Sequence, residues 1–278
     1  MRLSLATRTV YALGLAAVLF SILFPFAAML STALKTPAEI ASPEFHFIPR
    51  HPAPGNFVEV FRALPLARNF LNSLIVALGA MSLNLLCAIP AAYALARLRF
   101  LGRQGVLFLI LTTQMFSPII LIIALFSQFT HYGLLHGAWV YLALILANAA
   151  ASLAFSIWLL TGYFASVPQE IEEAALIDGC SRAGTVWRVI LPVSLPGVVT
   201  TVIFAFIQAW NEFIFALTFV PSDEFRPLTV AIPSFIGQYS TQWQYLMAAA
   251  LLATVPVVVL FLTVEKHLVR GLTAGAVK

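Results

Sequence analysis

From Val10 to Leu34 the chain runs for 25 residues without a charged side chain. Five more apolar runs follow, at about 70–96, 106–129, 138–164, 197–220 and 245–264, and only the fifth run overall holds a charge, Glu212. A helix needs about 20 consecutive apolar residues to cross a bilayer, and in lipid each segment must satisfy its own backbone polar groups. The pattern therefore predicts an all-α integral membrane protein with six transmembrane helices, read as one domain over residues 1–278. Composition closes the alternative. Of the 278 residues 61% are hydrophobic and 9% charged, with a mean hydropathy of +0.96, against about 45–50% and about 25% in soluble domains. A water-soluble fold of this size cannot hide that excess. Soluble enzymes, nucleic-acid-binding modules and disordered chains are poor readings.

The first run far exceeds the about 7–15 apolar residues of a secretory leader, so it is read as an uncleaved span. Pro25, Pro90, Pro118 and Pro256 fall inside runs, where neighbouring helices can satisfy the freed carbonyls. Cys87 and Cys180 lie in an apolar run and a polar loop and form no disulfide framework.

Net charge is +4, and its distribution gives the orientation. With the N-terminus inside, one set of segments holds Arg2, Arg8, Arg97, Arg99, Arg103, Arg182, Arg188, Lys266, Arg270 and Lys278, ten cations. The other set holds Lys35, Arg50, Arg62, Arg68 and Arg226, five, four of them in one long loop. Cytoplasmic loops carry the excess of Lys and Arg. Both termini are therefore expected in the cytoplasm.

Residues 36–68, on the outer side, contain six prolines among Phe45, Phe47, Phe57 and Phe61. The segment reads as surface-lying and partly extended, with at most a short helix near Phe57–Leu64. It is either a plain connector or a docking surface for an external partner.

The loop 165–196 is different. Ser166 with Gln169 three residues on matches a capping box, Pro168 suits a first turn, and Glu170, Glu172 and Glu173 favour a helix N-terminus. Ile171, Ala174, Ala175 and Asp178 keep helical spacing, and Gly179 falls where a left-handed cap belongs. Ser181 can start a second short helix with an apolar face of Val186, Trp187, Ile190 and Leu191, ended by Pro192. Small side chains at Ala174 and Ala175 would let a partner's groove approach the backbone, or the loop is a solvated amphipathic connector.

Several chemistries are missing from the sequence. It has no G-x-x-x-x-G-K-[ST] run to cradle ATP phosphates, no H-E-x-x-H and no G-x-S-x-G. The five histidines have no ligand spacing. The reading is therefore no catalytic residues, no metal site and no cofactor in this chain.

Glu212 stands inside the fifth run beside Trp210 and Asn211. An intramembrane carboxylate costs about 2.5–3.5 kcal/mol on insertion scales and faces a cavity or a partner. It either lines a solute path, with Trp210 and Phe213 offering ring faces, or it is a structural group bonded to a neighbour. Gln114, Asn148 and Gln208 are further polar residues inside runs, of the kind that holds helices together.

The segment Glu173-Ala174-Ala175, Gly179 and Val189-Ile190-Leu191-Pro192 resembles the E-A-A-x3-G-x9-I-x-L-P loop of binding-protein-dependent ABC importer permeases, with Val189 a mild departure. Asn72-Ser73, Tyr93-Ala94 with Arg97, Trp210-Asn211-Glu212-Phe213 and the tail from Gly271 to Lys278 extend the resemblance, over nearly the whole chain, to the carbohydrate branch and its maltose-type G-like subunit. The resemblance implies a type I ABC importer permease fold with a cytoplasmic coupling helix. Glu173, Ala174, Ala175, Asp178, Gly179, Trp187, Leu191 and Pro192 would contact the ATPase, with Gly271, Thr273 and Gly275 of the tail. Trp210, Asn211 and Glu212 would belong to the substrate path. It further implies two ATPase subunits that hold the ATP and Mg, a second permease, an extracytoplasmic solute-binding protein, and a place in a bacterial or archaeal cytoplasmic membrane. The solute would be a sugar. Glycerol phosphate or a polyol is the alternative, although no run contains the Arg or Lys that a phosphate favours. An ion-coupled carrier would instead show repeats and several intramembrane charges.

Overall fold

In the computed structural model four helices carry apolar runs without a break: Leu5–Ala33, Leu66–Arg97, Val140–Ser166 and Trp243–Ala276. The structure describes residues 5–276 apart from Phe45 and Gln238, and side chains over 8–265 apart from those two and Pro118. Among the described residues there is no strand, only an isolated antiparallel bridge between Ile236 and Thr241. Pro25, Pro90 and Pro256 lie within helices, as the sequence predicts.

Two runs are not single helices. The run at 106–129 is divided into Arg103–Thr113 and Pro118–His131. Pro118 has no N–H to continue the earlier helix, so it takes the first turn of a new one, and the Ser117 hydroxyl accepts the Ile119 N–H. The run at 197–220 is divided into Leu195–Trp210 and Ile214–Phe219. Its first half also meets Arg182–Val193 at an 86° bend, beside Pro192 and Pro196. Among the described residues four helices are long and apolar enough to span, or five with the bent pair counted as one span. By that measure the six spans expected from the sequence are not confirmed among the described residues.

The chain divides into two compact units. One comprises the chain up to Ala67 with Ala231–Val255. Here the short helix Asn56–Ala63 forms where the sequence places it, and buried Asn56 closes the end of the first helix. Its Nδ2 donates to the carbonyls of Ala33, at 2.8 Å, and Lys35, at 2.9 Å. The Ala33 carbonyl is among the acceptors that a helix C-terminus leaves open, and that of Lys35 lies just beyond it. Ala53 N–H bonds Leu34, the Ser31 hydroxyl bonds the Phe47 carbonyl, and Phe47 stacks on Phe24. The Tyr245 hydroxyl donates to Glu59 at 2.6 Å.

The other unit comprises Arg68–Val230 with the chain from Pro256 onward. One cluster packs Leu144, Val140, Phe129 and Phe219, and a second packs Ala88, Ala92, Leu160, Phe164 and Ile190. Lipid supplies no hydrophobic drive between helices, so close fit holds them. At Gly197 that fit is extreme, because a Cβ would run into the Tyr163 ring. The segment 222–228 is hung from the start of helix Leu66–Arg97. Asn69 and Asn72 donate to the Arg226 carbonyl, Asn72 also donates to the Glu224 carbonyl, and Ser73 Oγ accepts the Leu228 N–H at 2.7 Å.

Candidate functional site

In the loop after helix Val140–Ser166, Pro168 is extended and turns the chain into helix Gln169–Ile177. The expected capping box does not form. Ser166 is still in the preceding helix, and its hydroxyl donates to the Tyr163 carbonyl at 2.7 Å. The far end follows the prediction closely. Gly179 has φ +87°, its N–H bonds the Leu176 carbonyl at 3.1 Å, and the Cys180 N–H bonds Ala175 at 3.0 Å. That pair of bonds around a left-handed residue is a Schellman motif. Ser181 then caps the next helix by accepting the Gly184 N–H at 3.1 Å.

Beyond the cap, Arg182–Thr185 passes into one π-helical turn, Val186–Ile190, and then Leu191–Val193. Val186 and Ile190 are buried and Leu191 half-buried, but Trp187 is turned out at 56% exposure, which corrects the predicted apolar face. Glu173, Ala174, Asp178, Gly179 and Pro192 are exposed, and Ala175 is buried. Of the alanine pair only Ala174 is open to a partner. Leu176 and the 85% exposed Ile177 add apolar surface beside the turn.

An ion pair ties this protrusion to helix Leu66–Arg97. Glu172 faces Arg97 and accepts the Tyr93 hydroxyl, and Arg97 also donates to the Val167 carbonyl at 2.5 Å. Sequence reasoning gave Arg97 and Tyr93 no role here, since their partner is 75 or more residues away.

The residues of the second break surround a cavity of about 540 Å³. Asn211 and Glu212 line it together with Gln114, Asn148, Ser152, Gln208, Phe204 and Phe213. Trp210 does not: it is 4% exposed and packs edge-on to Phe70 and in a stack with Phe206. Helix geometry sends consecutive residues to different faces, so adjacency to Asn211 placed it wrongly. Glu212 explains the break. Its Oε1 accepts the Phe215 N–H at 2.6 Å and its Oε2 the Ala216 N–H at 3.1 Å, so the carboxylate caps helix Ile214–Phe219 from outside. The Glu212 carbonyl in turn accepts the Thr229 hydroxyl at 2.8 Å. Gln114 Nε2 donates to the Ala151 carbonyl at 3.2 Å and Asn148 Nδ2 to the Leu144 carbonyl at 2.9 Å. The tail residues Gly271, Thr273 and Gly275 lie outside the residues whose side chains are described.

Residues 85–274 match the profile of a protein family described as binding-protein-dependent transport system inner membrane component. The chain is 38% identical over 256 residues to the sulfoquinovosyl glycerol transport system permease protein of Agrobacterium fabrum, covering 92% of this chain and 89% of that one. It is 38% identical over 210 residues to the trehalose/maltose transport system permease protein of Thermococcus litoralis, covering 74% of each. Its fold matches a chain in the crystal structure of a bacterial ABC transporter involved in the import of the acidic polysaccharide alginate. The TM-score is 0.81 at 22% identity, over 96% of this chain and 99% of that one.

Proposed function

The chain belongs to the family of binding-protein-dependent transport system inner membrane components, and from that membership we propose its working role in an ATP-driven importer of sugars. It is a multi-pass permease subunit and not itself an enzyme. In our reading its 278 residues act as one permease domain, beside a second permease, two ATPase subunits that bind and hydrolyse ATP with Mg, and an extracytoplasmic solute-binding protein. Both termini lie in the cytoplasm, as the cation count favours.

The observation that carries this reading is the geometry of loop 165–196. A rigid helix, a left-handed cap at Gly179 and a second capped helix present Glu173, Ala174, Asp178 and Trp187 outward at a fixed angle. Such a protrusion suits insertion into a cleft on an ATPase, whose closure would then drive the permease between inward- and outward-facing states. Asn211 and Glu212 supply wall positions for the solute path, and Trp210 supports them from behind.

The test is reconstitution of the chain with a second permease, an ATPase and a solute-binding protein from the same genome. Proteoliposomes should accumulate a neutral sugar only with binding protein outside and hydrolysable ATP on the ATPase side. Uptake driven by an ion gradient without ATP would overturn the reading in favour of a secondary carrier.

A further inference from the structure

The loop between helices Leu66–Arg97 and Arg103–Thr113 reads Leu98-Arg99-Phe100-Leu101-Gly102. It starts at Arg97, whose side chain is held by Glu172 and the Val167 carbonyl. The loop therefore leaves the bundle level with the first turn of helix Gln169–Ile177. Gly102, at φ +85°, turns the chain back into the next helix. Leu101 stands at the apex of that turn, fully exposed, and Phe100 beside it is exposed as well.

Loop and protrusion share a notch of about 210 Å³, lined by Arg97, Arg99, Gln169, Glu172, Glu173 and Leu176. Arg97 and Glu172 are committed to each other inside it. Arg99 is exposed, and among the described residues it makes no ion pair. Apolar surface flanks the notch from both segments, with Phe100 and Leu101 on the loop and Leu176 and Ile177 on the helix. An open arginine among exposed apolar side chains is the composition of a protein-binding surface. A guanidinium covered by a partner needs a carboxylate to offset its lost hydration. Because one wall of the notch is helix Gln169–Ile177 itself, whatever covers that helix from this side also meets Arg99. A lipid headgroup at Arg99 alone would leave the shared wall unexplained.

We propose that loop 98–102 is a second docking element for the ATPase subunit, continuous with the protrusion of loop 165–196. Arg99 bonds a carboxylate of the ATPase, and Leu101 enters an apolar recess on it. The proposal rests on the importer reading above and extends it. The ATPase would grip the permease at two places far apart in sequence, locked to each other through Arg97 and Glu172.

The test places photo-reactive benzoylphenylalanine at Leu101, or at Ile177 as a reference, in the complete complex in nanodiscs. Both positions should form adducts with the ATPase. In parallel, rebinding of the ATPase to the permease pair in nanodiscs is titrated. Arg99→Glu should weaken it at least about tenfold, the size of one hydrogen bond to a charged group, with permease recovery unchanged. Arg99→Lys, which keeps the charge, should restore part of the loss. If Ile177 reaches the ATPase but Leu101 yields adducts only with lipid or the second permease, or none, the second element is wrong and the importer reading stands. ATPase affinity unchanged in Arg99→Glu would overturn it equally. If neither position reaches an ATPase, the importer reading itself fails.

Discussion

Arg97 Nε lies 3.1 Å from Glu172 Oε2, and the two side chains are only 5% and 13% exposed. The pair joins the last turn of helix Leu66–Arg97 to the first turn of helix Gln169–Ile177. Removing one partner of a mostly buried pair leaves an uncompensated charge, at about 3–5 kcal/mol. Glu172→Ala should therefore lower the thermal midpoint of the purified complex and raise the ATP hydrolysed per sugar moved. The double variant Arg97→Glu with Glu172→Arg should recover part of the loss. An Ala variant with unchanged midpoint and stoichiometry would show that the pair is idle.

Gly179 separates space from backbone conformation. A Cβ there would meet nothing within 4 Å, yet φ is +87°. The cost of a side chain is thus the left-handed backbone alone, about 1–2 kcal/mol for an ordinary L-residue. Gly179→Val should leave membrane insertion intact and depress sugar uptake far more than ATP hydrolysis. Gly179→Asn, which adopts that conformation more readily, should retain most uptake. Equal uptake by wild type and Val would refute a role for the turn.

Glu212→Ala leaves the Phe215 and Ala216 N–H groups without their acceptor, a loss of about 1–3 kcal/mol. Less complex should be recovered, and the remainder should bind sugar more weakly. Glu212→Gln keeps one oxygen and should fall between wild type and Ala in yield. A pure contact residue would behave differently, with normal yield in the Ala variant and only affinity altered. Yield and binding measured together separate the two.

Asn56→Ala frees the carbonyls of Ala33 and Lys35 that Nδ2 now holds. Limited proteolysis in the 36–55 segment should accelerate severalfold. Asn56→Asp should be no better than Ala, since a carboxylate cannot donate to a carbonyl. Digestion of Asp at the wild-type rate would contradict the assignment.

The long helices were legible because an uninterrupted apolar run has few other solutions in a membrane. So was the cap at Gly179, where helical spacing ends at a residue without Cβ. The breaks were not. Hydropathy averages over Gln114–Ser117 and Asn211–Phe213, and the first break depends on a proline that elsewhere, as at Pro90, stays inside a helix. The second depends on Glu212 folding back on residues three and four positions ahead. Asn211, Gln208, Asn148 and Gln114 stood out individually as polar residues in apolar runs, but nothing in their spacing showed that they share one cavity. Trp210 lies beside Asn211 in sequence but on another face of the helix, against Phe70 and Phe206.

The exposed amides of Gln114, Gln208 and Asn211 also bear on the life of the chain before assembly. Hydrocarbon offers such side-chain amides no hydrogen-bond partner, and a polar group left unsatisfied there costs several kcal/mol. An orphan copy released into the bilayer would have to drag water inward or thin the lipid around this face. Biogenesis should therefore be obligately coupled: synthesised without its companion subunits, the chain should be short-lived and a target for membrane proteolysis, and co-expression should lengthen its half-life in a pulse-chase.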